Sequence, residues 1–342
     1  MKHMILVGCY TAKECDLAIM ALELDSQNKQ FRIVETISKI NNPSYLVAHQ
    51  NNVYACCEEE NKAEILSFTM DFDKKIKIQS KMNIPGKGTC HIAVHPSGKY
   101  LFAANYLSGD VISCRLNDDG RISGICDQVI QYSEAEKKSH CHCVTPSVDG
   151  RFLFVTNLGL DKIYTYEIDL NTGKLWQRDN LPAIQLERGK GPRHFVFHPS
   201  GKWGFVVTEM SNQVIAYRYD GEGGLVKTQE LKTIPPYYKE ENYIAGVKVS
   251  ADGRYLYITN RGYDHVSVVK IKQDGKLYLV ENVSTLGAWP RDLALTLDGE
   301  YLLVANQKEQ SIVAFDVRKK DGSIVPLGIQ MKVNNPAGIC FL

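Results

Sequence analysis

No stretch of the 342 residues approaches the roughly 20 consecutive apolar residues that a membrane-spanning helix requires. The opening run, from Met1 to Tyr10, carries one lysine and an apolar segment too short for the core of a secretory signal, so it reads as a strand and the expected compartment is the cytoplasm. Neither charge is in excess. Lys and Arg total 40 against 39 Asp and Glu, a formal charge of +1, which argues against a nucleic acid or an anionic membrane bound through a broad basic face. The 10 cysteines, two of them adjacent as Cys56-Cys57, lack the regular spacing of a disulfide framework, and reduced thiols are the simplest account. There is no Gly-x-Ser-x-Gly elbow to present a serine nucleophile. Helical periodicity is missing too, which excludes an α-solenoid.

What the chain has is repetition. Segments 92–105, 144–157, 191–209, 247–260 and 293–306 follow one template: an apolar run, a polar turn with a glycine, and a second apolar run ending in Asn or Glu. The turn glycines are Gly98, Gly150, Gly201, Gly253 and Gly299, at intervals of 52, 51, 52 and 46 residues. A sixth copy, 44–58, has lost its glycine. Each hairpin is followed by a third β-branched run, such as 111–116 or 163–168, then a Gly-containing turn and a fourth strand. Four antiparallel strands at a period near fifty make a propeller blade. Six blades leave three strand-like runs within 4–35 and one within 336–342. Together these complete a seventh blade and leave no open sheet edge. The expectation is therefore an all-β, seven-bladed β-propeller of four-stranded antiparallel blades, one domain over 1–342, its ring closed by N- and C-terminal strands sharing a blade.

In such a ring the first strand of each blade lines the central channel, and two sets of residues meet at one mouth. The first set, eight positions before each turn glycine, is Cys90, His142, Arg193, Ala245 and Arg291. The second, at the end of each second strand, is Glu58, Asn105, Asn157, Glu209, Asn260 and Asn306, with Arg261 directly after Asn260. Arg193 and Glu209 are equidistant from Gly201, so antiparallel pairing sets them side by side. Repeated asparagines at strand ends read first as local backbone brackets, although Asn157 and Asn260 are kept as candidate substrate-binding residues. His142, Arg193, Glu209, Arg261 and Arg291 break the template, and such departures are where function is expected. Several guanidinium groups at one mouth call for an anionic ligand.

Two other sites compete. His140-Cys141-His142-Cys143 has metal-ligating side chains, but alternation along a strand sends the histidines and cysteines to opposite faces, and zinc would need His91 or His194 as well. A protein-recognition propeller would use exposed aromatics at the mouth, for which Tyr106, Tyr263 and Trp289 are the candidates. His95 and His198, in His-Pro-Ser-Gly, read as turn residues remote from the mouth.

Several motifs in order carry a family resemblance over essentially the whole chain: Gly8-Cys9-Tyr10-Thr11, His140-Cys141-His142, Gly191-Pro192-Arg193-His194, the strand end at Glu209, Thr259-Asn260-Arg261-Gly262 and Trp289-Pro290-Arg291-Asp292. The chain resembles the lactonase family of seven-bladed propellers, which includes bacterial 6-phosphogluconolactonases and fungal carboxy-cis,cis-muconate cyclases. Cys9 departs from the Thr or Ser common there. The resemblance implies a site at the residues matching His142, Arg193, Glu209 and Arg261, and the opening of a phosphorylated sugar lactone, 6-phosphogluconolactone of the pentose phosphate pathway, or the handling of a carboxylated muconate lactone. Such a reaction needs a base, an oxyanion donor and a proton for the leaving oxygen. Glu209 is the expected base, with His142, whose reference pKa is about 6.5, the competing candidate for proton transfer. Arg193 is the expected oxyanion donor, and Arg261 and Arg291 the grip on the phosphate. No cofactor and no metal enter this reading. No nucleic-acid or membrane partner is implied, and a protein partner is left open.

Overall fold

The computed structural model describes residues 2–12, 16–134 and 136–342; Met1 of the opening run and Cys15 of the cysteine count lie outside them. The described residues form seven antiparallel sheets in a ring, a seven-bladed β-propeller without a helix. The first strands of successive blades, among them Pro43–His49, Thr89–Val94, Cys141–Pro146, Pro192–Phe197, Tyr243–Val249 and Pro290–Leu295, contact one another around the central channel. The ring closes as the sequence implies. Pro336–Phe341 is the innermost strand of the sheet that continues through Lys2–Cys9, Ile19–Asp25 and Gln30–Ile37.

Burial explains the mixture of patterns along the chain. Inner strands are sandwiched between neighbouring blades and are buried on both faces: every residue of Ile19–Asp25 and of Tyr100–Asn105 is buried. Outermost strands have one wet face, so after the buried Ile324 the strand Ile324–Lys332 alternates half-buried and exposed residue by residue. Seven apolar clusters, one at each blade-to-blade interface, form the core. One blade departs from four continuous strands. Its outer strand is split into Leu175–Trp176 and Ile184–Gln185, both paired with Lys162–Ile168. Pro182, which has no N–H for the ladder, lies in the gap.

The hairpin turns lie at the end of the channel away from the mouth. Gly150 and Gly253 have φ of 73° and 73°, the left-handed region that favours glycine. His95 Nε2 reaches Gly150 O at 2.7 Å and His198 Nε2 reaches Gly253 O at 3.0 Å, each tying its own turn to that of the next blade. A Cβ at Gly253 would stand 2.2 Å from His198 Nε2. The two histidines are turn residues, as expected, and also staples between blades.

Candidate active site

At its mouth end, each inner strand carries a β-bulge. The residue left over by the ladder is Ser44, Cys90, His142 and Arg291 in four blades; in two others the bulge holds Arg193 with His194, and Ala245 with Gly246. A bulge re-aims a side chain. The ring found by counting back from the turn glycines is thus a ring of bulged residues, turned into the channel mouth. Arg193 does not face Glu209 across the ladder, because Pro192 pairs with Thr208 and Phe195 with Val206. The bulge frees Arg193 to meet Glu209 through its side chain instead.

Glu209 is held between two buried arginines. Its Oε2 lies 2.9 Å from Arg193 Nε and 3.1 Å from Arg261 Nη2. The first contact is one of charge rather than an aligned hydrogen bond, since the Arg193 Nε–H has no acceptor in line. Arg193 is fixed elsewhere: Nη1 donates to Ala245 O at 2.7 Å and lies 3.1 Å from His194 Nε2. Arg261 donates from Nε to Tyr243 O and from Nη2 to Ile244 O, both at 3.2 Å. Burial first, and the neighbouring Arg193 next, pull its pKa down to about 10 against the pull of Glu209. Arg261 therefore remains a cation at neutral pH.

A second clamp stands across the mouth. Arg291 donates from Nη2 to the Tyr10 hydroxyl, and that hydroxyl donates to Glu58 Oε2. Arg291 Nη2 is also 3.6 Å from Glu58 Oε2, and its guanidinium sits 4.9 Å from the centre of the Tyr10 ring. Below both clamps is a floor of three buried imidazoles. His194 lies 5.2 Å from His91 and 5.3 Å from His142, ring centre to ring centre. His142 Nδ1 is buried without a hydrogen-bond partner.

The structure reassigns two candidates. Asn157 and Asn260 are fully buried. Asn157 Oδ1 accepts from the backbone of His140 and Leu160, while Nδ2 donates to Gln131 and Ser139. Asn260 accepts from Thr233 and donates to Ser267 and to two backbone carbonyls. With their amides occupied inside the blades, both are brackets and have nothing to offer a substrate. His140 leaves the metal tract, stacking on Tyr106 and bonding to Tyr106 O. No group of three or more His, Cys, Asp or Glu among the described residues is arranged to hold a metal ion. The mouth aromatics each have a neighbour over the ring: His140 on Tyr106, His265 on Tyr263 and Lys308 on Trp289. Space alone would favour the opposite opening, where a cavity of about 370 Å³ is bordered by Tyr45, His91, His194 and Lys248 among apolar residues. Carboxylate, guanidinium and imidazole groups converge at the mouth, and acid–base chemistry needs those groups rather than volume.

The family description "Lactonase, 7-bladed beta-propeller" matches residues 4–341. The chain belongs to the lactonase family. It is 29% identical over 350 residues to the 6-phosphogluconolactonase of Bacillus subtilis, covering 100% of this chain and 99% of that one. The periplasmic gluconolactonase of Pseudomonas aeruginosa superposes with a TM-score of 0.92 at 25% identity, covering 100% and 99% of the two chains. A Lactobacillus plantarum protein superposes at 0.91 with 28% identity and full coverage of both.

For this lactonase-family chain, a His142 that titrates near neutrality has to be given up. Burial first, then the positive charges of Arg193 and Arg291, hold its pKa well below the ordinary histidine value. Burial likewise lowers His91, helped by Lys248 and Arg193, and His194, helped by Arg193 and His91. All three rings are neutral at pH 7. The unfolded chain takes up these protons near pH 6.5 and the folded one only well below it, so in that window the unfolded state binds more protons. Stability therefore falls as pH falls, by ~1.4 kcal/mol per pH unit for each histidine, and is unaffected by them above about pH 7. Thermal melts should show a level Tm above neutrality and a steep decline from about pH 6.5 downward, shallower in His91→Gln. A Tm independent of pH between these limits contradicts the buried neutral cluster.

Proposed function

We propose that this protein hydrolyses a sugar δ-lactone at the channel mouth, with 6-phosphogluconolactone as substrate and 6-phosphogluconate as product, a step of the pentose phosphate pathway. The observation that carries the reading is Glu209, a carboxylate held at 2.9 and 3.1 Å by two guanidinium groups, in a chain matched along its length by the lactonase family. Glu209 takes a proton from water as the water oxygen bonds to the lactone carbonyl carbon. Negative charge then gathers on the carbonyl oxygen. Arg193 is the donor best suited to it, since its Nη2 makes no hydrogen bond to a described residue, whereas Nη1 is held by Ala245 O. The bond from the carbonyl carbon to the ring oxygen breaks, and Glu209 returns its proton to that oxygen. His142, neutral, offers a ring nitrogen as a hydrogen-bond partner for water or substrate and does not supply the proton. Arg261 and Arg291 set the positive field that draws the anion in.

A reducing compartment suits the nine described cysteines, all of them free thiols, and supports a cytoplasmic setting. The test is the initial rate of opening of 6-phosphogluconolactone and of glucono-δ-lactone at low substrate, with spontaneous opening subtracted. The reading predicts enzyme-dependent opening with the phosphorylated lactone preferred. Rates no higher than the spontaneous ones for both lactones would remove it.

A further inference from the structure

The three arginines of the mouth are already engaged with carboxylates: Arg193 and Arg261 with Glu209, and Arg291 with Glu58. A phosphate arriving there must compete with a resident anion. Lys308, at the same rim, has no such partner. Lys308 follows the strand Tyr301–Asn306, and its Nζ lies 3.4 Å from the centre of the Trp289 ring, with no carboxylate of the described residues in ion-pairing range. An exposed lysine normally sweeps a wide volume; this one is seated on an aromatic face, an attraction between cation and ring quadrupole that leaves the N–H donors turned away from the ring available to a ligand.

The seat is itself built. Trp289 has φ of 65°, a left-handed conformation that a bulky side chain rarely adopts, and its backbone is fixed there by Trp289 N donating to Asp264 Oδ1 at 2.8 Å and by Trp289 O accepting from Gln307 N at 3.0 Å. The same ring lies 5.6 Å from the Arg261 guanidinium, which touches Glu209. From the carboxylate outward, Glu209, Arg261, Trp289 and Lys308 thus form one line of contacts from the reacting end of the site to its rim.

We propose that Lys308, held by Trp289, is the specificity-determining residue that binds the phosphate of a phosphorylated lactone. The inference rests on the lactone-opening reading of the same site and names the part of the substrate recognised at its outer end. A compact ammonium that keeps N–H donors on its side away from the ring suits a phosphate dianion.

The test compares two ratios in the wild type, Lys308→Gln and Lys308→Arg. One is kcat/KM for 6-phosphogluconolactone over that for glucono-δ-lactone; the other is the calorimetric affinity for 6-phosphogluconate over that for gluconate. Both should favour the phosphorylated compound in the wild type, fall about tenfold in Lys308→Gln through KM and Kd, and be largely restored in Lys308→Arg. A phosphate preference that survives Lys308→Gln, or a wild type with no preference, overturns the assignment. A Lys308-dependent preference in binding, with no enzyme-dependent opening of either lactone, supports the phosphate site and removes the hydrolytic reading instead.

Discussion

Replacing Glu209 by glutamine should lower the enzyme-dependent rate of lactone opening by about 10²- to 10⁴-fold, the usual cost of losing a general base. Glutamine keeps the shape and an oxygen acceptor and removes the charge and basicity. Rim position alone suggests a silent effect on stability, but Arg193 and Arg261 are buried against this carboxylate and would then repel each other uncompensated. Removing one partner of a buried ion pair typically costs about 3 to 5 kcal/mol, and the partial exposure of Glu209 puts this change toward the low end. A lowered Tm should therefore accompany the lost rate. Because the loss should be in kcat with substrate still binding, the two effects are separable by assaying well below the variant's melting range. A Glu209→Gln enzyme that keeps most of its rate assigns the base elsewhere.

Deleting residues 336–342 should have the larger effect on stability. Pro336–Phe341 is the innermost strand of the closing blade, paired with Lys2–Cys9 from the other end of the chain. Ala337, Ile339 and Cys340 are buried, and Ile339 belongs to the apolar cluster it shares with Ile5, Val7, Leu303 and Ile312. Without this strand that cluster opens to water and Lys2–Cys9 becomes a bare edge at the channel wall, a template for association with other chains. The truncated protein should accumulate as aggregate. A milder probe, Ile339→Ala, should leave a soluble protein destabilised by about 2 to 5 kcal/mol, the range for deleting a buried isoleucine side chain to alanine. A soluble deletion variant with an unchanged Tm contradicts the closure.

The fold was legible because a blade repeats its turn glycine, and a period near fifty admits few architectures. The closing blade could be inferred from what six blades left over. The site was legible in part, for the same reason: residues that broke a regular template stood out. Arg193, Glu209, Arg261, His142 and Arg291 do converge at one mouth. What the template hid was the bulge, since no residue type marks it, and so Arg193 was placed beside Glu209 by a ladder register that the chain does not have. Tyr10 and Glu58 were harder still. Their contact with Arg291 joins the closing blade, the blade after it and the blade before it, residues 281 positions apart in one case. A phenol and a carboxylate at two strand ends announce nothing until the ring is closed. The opposite error concerned Asn157 and Asn260, whose amides suited a ligand as well as a backbone; full burial decides for the backbone.

The central claim is that the chemistry occurs at the mouth formed by Glu209, Arg193, Arg261 and His142, and the most direct measurement is a crystal structure with 6-phosphogluconate bound. The account predicts the product's carboxylate within hydrogen-bond reach of Arg193 and Glu209, with its phosphate toward Lys308. Product held only at the opposite opening, beside Lys248 and Tyr45, with the mouth unoccupied, would contradict it.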